Sequence, residues 1–286
     1  MAPPPWHLPM PRISVILLFL GFAAALLGGE AFLQPLLARA LGDAFLGEKL
    51  GATAVYVAVL GLVAPGLVAA SRGGGQRLAG AALALLVGLP LGLLDFALTG
   101  VEVWGLAQVS PTQAARLWDF AEAPVRWGPD NSILGLQAGP LRIALFLLVQ
   151  VVLGPATEEA VFRGLIFPRL HARFGLGLAN LLTACLFTVL HPVNQYLSTC
   201  VFSLLTTLWL ARRGRLTEVI VLHGTVNLLL WLGTGLGAGA YLKSRDPATL
   251  AAVASWGPMV LIVVLLLPAL WLLITRLRPP VAAATA

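Results

Sequence analysis

The feature that most constrains this chain is a series of apolar segments, each close to or above the length that crosses a lipid bilayer. Eight can be marked, at residues 13–29, 51–71, 77–99, 139–167, 176–192, 196–211, 217–235 and 256–275. A helix rises about 1.5 Å per residue, so about 20 residues cross a hydrocarbon core of about 30 Å. The fifth and sixth segments are short and require local thinning of the bilayer or burial among neighbouring helices.

A membrane-spanning backbone must satisfy its own hydrogen bonds, which leaves helices and closed barrels. The apolar segments lack the alternation of apolar and polar residues that barrel strands need. Only 10% of the 286 residues are charged, against roughly 25% in soluble domains, which excludes most classes of soluble enzyme. The sequence therefore predicts an all-α polytopic membrane protein, a bundle of about eight transmembrane helices in a single membrane domain over residues 1–286.

The charged residues between the segments indicate an orientation. If eight spans alternate from a cytoplasmic N-terminus, one side holds Arg12, Arg72, Arg77, Arg169, Arg173, Arg212, Arg213, Arg215, Arg276 and Arg278. The other side holds mixed or acidic loops, with Glu30, Asp43, Glu48, Glu102, Asp119, Glu122 and Asp130. The positive-inside rule then predicts that both termini are cytoplasmic. The Ala-, Leu- and Gly-rich composition favours a bacterial inner membrane, and the first segment is long enough to be a retained span rather than a cleaved signal peptide.

Several features predict less specific properties. Basic residues are scattered between apolar runs, so the net charge of +6 does not indicate a nucleic-acid partner. Cys185 and Cys200 lie in apolar stretches without a CxxC pair, which argues against a disulfide framework. We expect an external loop at about 100–138 and a disordered tail at about 279–286. Asp95 is expected near the end of its span.

Polar residues inside the apolar segments are the candidates for chemistry, because each ionisable group there costs about 2.5 to 3.5 kcal/mol on insertion scales. Three segments carry them. The fourth has Glu158, Glu159 and Arg163 in GPATEEAVFRGLIF, the fifth has His191 in FTVLHP, and the seventh has His223 and Asn227 in VLHGTVN.

The two adjacent glutamates are predicted to play different roles. Glu159 and Arg163 are four residues apart on a helix and can form an ion pair. Glu158 is turned about 100° away from that pair and remains available as a general base. A buried structural ion network is the alternative interpretation of all three residues.

The two histidines each have a partner one helical turn away, Phe187 before His191 and Asn227 after His223. A histidine can orient or deprotonate water, and a histidine with an asparagine can donate to an oxyanion. Glu158, His191 and His223 could instead bind zinc, although HExxH is absent. Segment depth argues against a shared site, because His191 lies about 20 to 25 Å from the cytoplasmic end and Glu158 about 14 Å.

The motifs EEAVFRG, FTVLH and HGTVN, in this order, resemble the EExxxR, FxxxH and HxxxN motifs of the CPBP family, which comprises the CAAX prenyl endopeptidase and bacteriocin-processing (Abi) proteins. The resemblance covers residues 155–230. It implies a glutamate-dependent or metal-dependent intramembrane protease. Glu158 would activate water with His191, His223 and Asn227 would stabilise the oxyanion, and Glu159, Arg163 and Phe187 would support the site.

Two functions fit this pattern. The first is an intramembrane endopeptidase acting on a membrane-associated protein or peptide, for example at a C-terminal sorting tail, with the lipid bilayer as its other partner. The second is a non-enzymatic membrane protein of the same fold that acts in bacteriocin self-immunity or in transport. The sequence assigns no cofactor to either function, and zinc is the alternative for the protease.

Overall fold

The computed structural model describes residues 14–71, 77–114, 140–235 and 253–277, and helices account for nearly all of them. The α-helices are α1 (Val15–Gly28), α2 (Gln34–Leu41), α3 (Ala44–Ser71), α4 (Arg77–Val109), α5 (Pro140–Leu147), α6 (Gly154–Glu159), α7 (Phe167–Thr188), α8 (Tyr196–Arg213), α9 (Leu216–Gly235) and α10 (Val253–Arg276). The π-helical segments Gly29–Leu33, Leu148–Leu153 and Ala160–Ile166 connect α1 to α2, α5 to α6 and α6 to α7. A 3-10 turn, Val193–Gln195, precedes α8.

Gly175 divides the long helical run between Pro140 and Thr188 into two passes. Its φ of 73° and ψ of 176° break the helix, in a backbone conformation that glycine adopts most readily. The described residues then make eight helical passes. Five stretches are long and apolar enough to cross a membrane, namely Val15–Leu41, Ala44–Val63, Ala79–Val109, Pro140–Thr188 and Gly257–Arg276. The prediction of an all-α polytopic membrane protein is confirmed.

The structure corrects the boundary between the first two spans. The first helix does not stop at residue 29 but continues through the π-helical segment to Leu41, and α3 begins at Ala44 rather than at 51. The chain reverses at Gly42, whose φ is 65°, and the Asp43 side chain accepts a hydrogen bond from the Leu46 amide at 3.0 Å. This cap starts α3 early because it satisfies an amide of its first turn. Polar residues expected in a loop therefore occupy helical positions.

The predicted external loop at 100–138 is also partly helical. Helix α4 continues to Val109 because Val103 and Ala107, each 1% exposed, pack with Phe96 and Met259. As a result Asp95 lies in the interior of α4 and is buried, not near a helix end. Residues 115–139 and the predicted disordered tail, 279–286, lie outside the described residues.

Helix α8 lies inside the bundle, where it packs against α4, α7, α9 and α10. It carries more polar residues than the other spans, and its Ser203 and Thr206 are fully buried beside Phe202 and Trp209. Since neighbouring helices surround it, a short and partly polar span can be accommodated there. Its polar side chains are thereby directed at other helices.

Candidate active site

The two adjacent glutamates stand at the end of α6, just before the π-helical segment that holds Arg163. Glu159 and Arg163 are both 0% exposed, and Arg163 Nη1 lies 3.2 Å from Glu159 Oε1. The ion pair that their spacing predicted is therefore present. The Glu158 side chain is 19% exposed. One carboxylate is thus sealed within the bundle, while its neighbour has access to open space.

Helix α8 holds the other side of the Arg163 guanidinium. Arg163 Nη2 donates to Ser203 Oγ at 2.9 Å and to Thr206 Oγ1 at 2.8 Å. The guanidinium also lies 4.6 Å from the centroid of the Phe187 ring, in a cation–π arrangement. A buried charge needs such a set of partners, because desolvation costs several kcal/mol per ion. Arg163 is accordingly fixed relative to α6, α7 and α8.

His223 joins the network from α9. Its Nδ1 lies 2.8 Å from Glu159 Oε1, so we infer that Nδ1 carries the proton of that hydrogen bond. Its Nε2 lies 3.9 Å from Glu158 Oε2. The close approach depends on Gly224, where a Cβ atom would be 2.5 Å from the Val151 carbonyl oxygen. Glycine at this position lets α9 press against the backbone just before the two glutamates.

His191 lies in the turn after α7, beyond the helix end at Thr188. Its Nδ1 is 2.9 Å from the Phe187 carbonyl oxygen, and its ring centroid is 4.5 Å from that of Phe187. A carbonyl oxygen only accepts hydrogen bonds, so Nδ1 is the protonated nitrogen and Nε2 remains available to another partner. Nδ1 is thus the inferred hydrogen-bond donor in both His191 and His223.

Asn227 lies one turn beyond His223 on α9. Its side-chain amide donates to the Gln150 carbonyl oxygen at 2.9 Å. An amide nitrogen has two N–H groups, so one donor remains after this bond is made. The Gln150 carbonyl belongs to a π-helical segment, and such segments occur frequently at functional sites.

A cavity of about 650 Å³ brings these side chains together. Its lining includes Glu158, His191, His223 and Asn227, while Phe187 forms part of its apolar wall. The volume is within the range of about 300 to 1,000 Å³ common for ligand pockets. The depth difference expected for His191 therefore does not separate it from the other three residues. Glu159 and Arg163 stand behind His223 rather than on the cavity wall.

The same side chains can be examined as ligands of a metal ion. Among the residues that the structure describes, no group of three or more His, Cys, Asp or Glu side chains is arranged to hold a metal ion. The three ligands considered from the sequence, Glu158, His191 and His223, share the cavity but do not form such a group.

Sequence reasoning missed the part of the cavity wall built by the first three helices. Glu30, Gln34, Glu48, Lys49 and Tyr56 all line it. Lys49 is 2% exposed and its Nζ lies 2.5 Å from Glu48 Oε1. The sequence did contain a signal for this part of the wall. The charged pair Glu48 and Lys49 directly precedes the apolar run that begins at residue 51, so both residues could have been assigned to the helix that this run forms.

The anchors of Arg163 were missed as well. Ser203 and Thr206 are three residues apart in the least apolar of the spans, a spacing that puts both on one helix face. That pattern indicates a polar face directed into the bundle. It does not identify the partner, because Arg163 lies 40 residues earlier in the chain.

The arrangement can bind a water molecule beside a carboxylate and present polar donors from other helices, which is what hydrolysis of an amide requires. Residues 140–229 match the model of a family described as type II CAAX prenyl endopeptidase Rce1-like. No curated protein and no solved structure matches the chain. The matched residues include every side chain of the network and the four polar groups of the cavity named above. Residues 140–229 of this integral membrane protein are therefore similar to the Rce1-like family of CAAX-type intramembrane proteases.

Proposed function

We propose that this protein is an intramembrane endopeptidase that hydrolyses a peptide bond in a membrane-associated protein or peptide. One observation carries the proposal. Glu158, His191, His223 and Asn227 come from three separate parts of the chain and line one cavity of about 650 Å³ inside an apolar bundle. Four polar side chains in lipid surroundings would be costly without a function.

In the proposed mechanism Glu158 is the general base. Its carboxylate takes a proton from a water molecule, and the water oxygen attacks the carbonyl carbon of the substrate. His191 accepts a hydrogen bond from this water at Nε2 and so orients it, since its Nδ1 is engaged with the Phe187 carbonyl. Glu158 suits this role better than Glu159, whose carboxylate is buried against Arg163 and His223.

His223 and Asn227 would stabilise the oxyanion that forms. Asn227 uses the N–H that is not bound to the Gln150 carbonyl, and His223 donates from Nε2 in its doubly protonated form, with Glu159 balancing the charge. The proton on Glu158 is then passed to the leaving amine as the C–N bond breaks. Glu158 ends the cycle as a carboxylate, ready for the next water molecule.

Replacing Glu158 by Gln tests the proposal. The change keeps the size of the side chain and removes the base, so cleavage of a co-expressed substrate should fall by about 10² to 10⁴-fold. Glu102→Gln is the matched control, because Glu102 lies outside the cavity and the new amide oxygen can still accept the hydrogen bond of the Leu197 amide, so cleavage should remain intact. Undiminished cleavage by Glu158→Gln would contradict the proposal and favour a non-enzymatic role in immunity or transport.

A metal-dependent variant of the mechanism is tested separately. Since the described side chains do not form a three-ligand group, we expect purified protein to contain no stoichiometric zinc and to retain activity after chelation. Elemental analysis together with an activity assay after chelator treatment measures both. Stoichiometric zinc with loss of activity on its removal would replace the metal-free mechanism.

The substrate and the location are part of the proposal. The family that residues 140–229 resemble is described as a CAAX prenyl endopeptidase, and we propose a C-terminal sorting tail as the substrate. The host membrane would be a bacterial inner membrane, with both termini in the cytoplasm, as the distribution of arginines suggests. Detection of the shortened substrate and its new C-terminus by mass spectrometry would identify the cleavage site.

A further inference from the structure

The residues that line the cavity lie towards one end of the bundle. On α1 and the segment after it, the lining runs from Phe22 towards Gln34, which is the later half of that pass. On α3 it runs from Glu48 to Tyr56, the earlier half. Because these two passes are antiparallel, both stretches lie towards the same end of the bundle. We call it the open end.

The other passes agree with this direction. The lining on α9 begins at His223 and continues to Trp231, towards the end of that helix. Around α7 it comes from Phe187 and from the turn that follows, up to Gln195. Among the described residues, the cavity wall includes none from the opposite end, where α7 begins and α8 meets α9.

Buried polar contacts close that opposite end, which we call the arginine end. Glu218 of α9 accepts hydrogen bonds from Trp209 Nε1 at 3.1 Å and from Arg213 Nε at 3.0 Å, and its side chain is 2% exposed. Helix α4 is tight against this carboxylate, since a Cβ atom at Gly80 would lie 2.1 Å from Glu218 Oε1. The bundle is therefore tightly packed here between α4, α8 and α9.

The arginine end also carries a cluster of positive charges. Arg173, Arg212, Arg213, Arg215 and Arg276 lie at helix ends there, and arginine-rich turns are retained on the cytoplasmic side of membranes. The open end then faces away from the cytoplasm. Resting on the proposed function, we propose that the cavity receives its substrate from the extracytoplasmic side, and that the substrate class is an extracytoplasmic segment of a membrane-anchored polypeptide.

The geometry also limits how the substrate reaches the site. Asn227 lies about 16 Å from the start of α9 and about 12 Å from its end at Gly235, by the helical rise. An extended chain advances about 3.3 Å per residue, so about four residues must thread from the open end to the reacting atoms. Water follows the same route, because Glu30 on the cavity wall is exposed.

Cysteine accessibility tests this inference without using activity. In a background carrying Cys185→Ala and Cys200→Ser, Glu30→Cys places a thiol at the open end and Arg173→Cys places one at the arginine end. Both native side chains are exposed, so neither substitution should require refolding of the bundle. A membrane-impermeant maleimide should label position 30 in intact cells and position 173 only after the membrane is opened. The reverse pattern overturns the inference.

The failure of this inference can be told apart from failure of the proposed function. If position 30 is labelled from outside but the wild-type protein cleaves no substrate, the access direction stands and the protease assignment falls. If the substrate is cleaved but position 30 is labelled only after the membrane is opened, the access direction alone is wrong. Labelling of both thiols in detergent verifies that each thiol is reactive, and co-elution with the wild type in size-exclusion chromatography verifies that each variant is folded.

Discussion

The sealed network and the open cavity wall of this protein differ although adjacent residues supply their acids. In the network, Glu159, Arg163 and His223 pair with one another and are almost fully buried. On the cavity wall, Glu158 is 19% exposed and lies 3.9 Å from His223 Nε2. His223 belongs to both regions, with one ring nitrogen directed at each. The difference shows that one residue of helical rotation separates a carboxylate sealed within the bundle from one that has access to the cavity.

Breaking the sealed network should have the largest effect. Arg163→Met removes the charge that compensates Glu159, and a buried carboxylate without its partner costs about 3 to 5 kcal/mol. We expect a marked fall in the unfolding temperature in detergent, with loss of activity as a consequence. Glu158→Gln is the comparison, and its unfolding temperature should remain close to that of the wild type. Similar unfolding temperatures for both variants would remove the distinction between the two regions.

Removing a donor from the cavity wall should affect catalysis rather than stability. Asn227→Ala loses an oxyanion donor, and kcat should fall by about 10² to 10³-fold. Asn180→Ala is the matched control, because Asn180 is also part-buried and donates to a backbone carbonyl, that of Leu204 at 3.1 Å, away from the cavity. A comparable loss of kcat in the control would show that the effect of Asn227→Ala is structural.

His191 tests whether the turn after α7 belongs to the cavity site in function as well as in position. His191→Ala should lower kcat by about 10²-fold, because the water loses the group that orients it. The stability of the variant should change little, since the His191 side chain bonds the nearby Phe187 carbonyl oxygen, four residues earlier in the chain. His171→Ala, at a histidine that stacks on Phe167 outside the cavity, should keep full activity. Full activity in His191→Ala would exclude His191 from the mechanism.

The smallest effect on stability and activity is expected where the hydroxyl groups of α8 hold Arg163. Ser203→Ala removes one of the two hydroxyls that hold Arg163 while Thr206 retains the other. Interhelical hydrogen bonds in membranes are worth about 0.6 to 1.7 kcal/mol, so the unfolding free energy should fall by that amount and kcat only slightly. The double variant Ser203→Ala, Thr206→Val should approach the instability of Arg163→Met. If it does not, these hydroxyls do not position the arginine.

Parts of the fold and of the candidate site followed from local patterns. Apolar length predicted the helical passes, because a span must cover the hydrocarbon core whatever surrounds it. The Glu159–Arg163 pair followed from four-residue spacing, which brings two side chains together on any helix. The end of α4 did not follow, because contacts with distant residues, such as Met259 beside Val103, extend this helix beyond its apolar run.

The sequence by itself determined that this chain forms a membrane-embedded helical bundle and which spans carry ionisable groups, because both depend on the composition and spacing of neighbouring residues. Only the tertiary structure decided that Glu158 faces a cavity, that His223 bonds Glu159, and that the first three helices complete the wall. These contacts join residues far apart in the chain, and helix packing sets them through close approaches such as that at Gly224. The periodicity of a helix shows which of its residues share a face, but it does not identify the neighbouring helix that packs against that face.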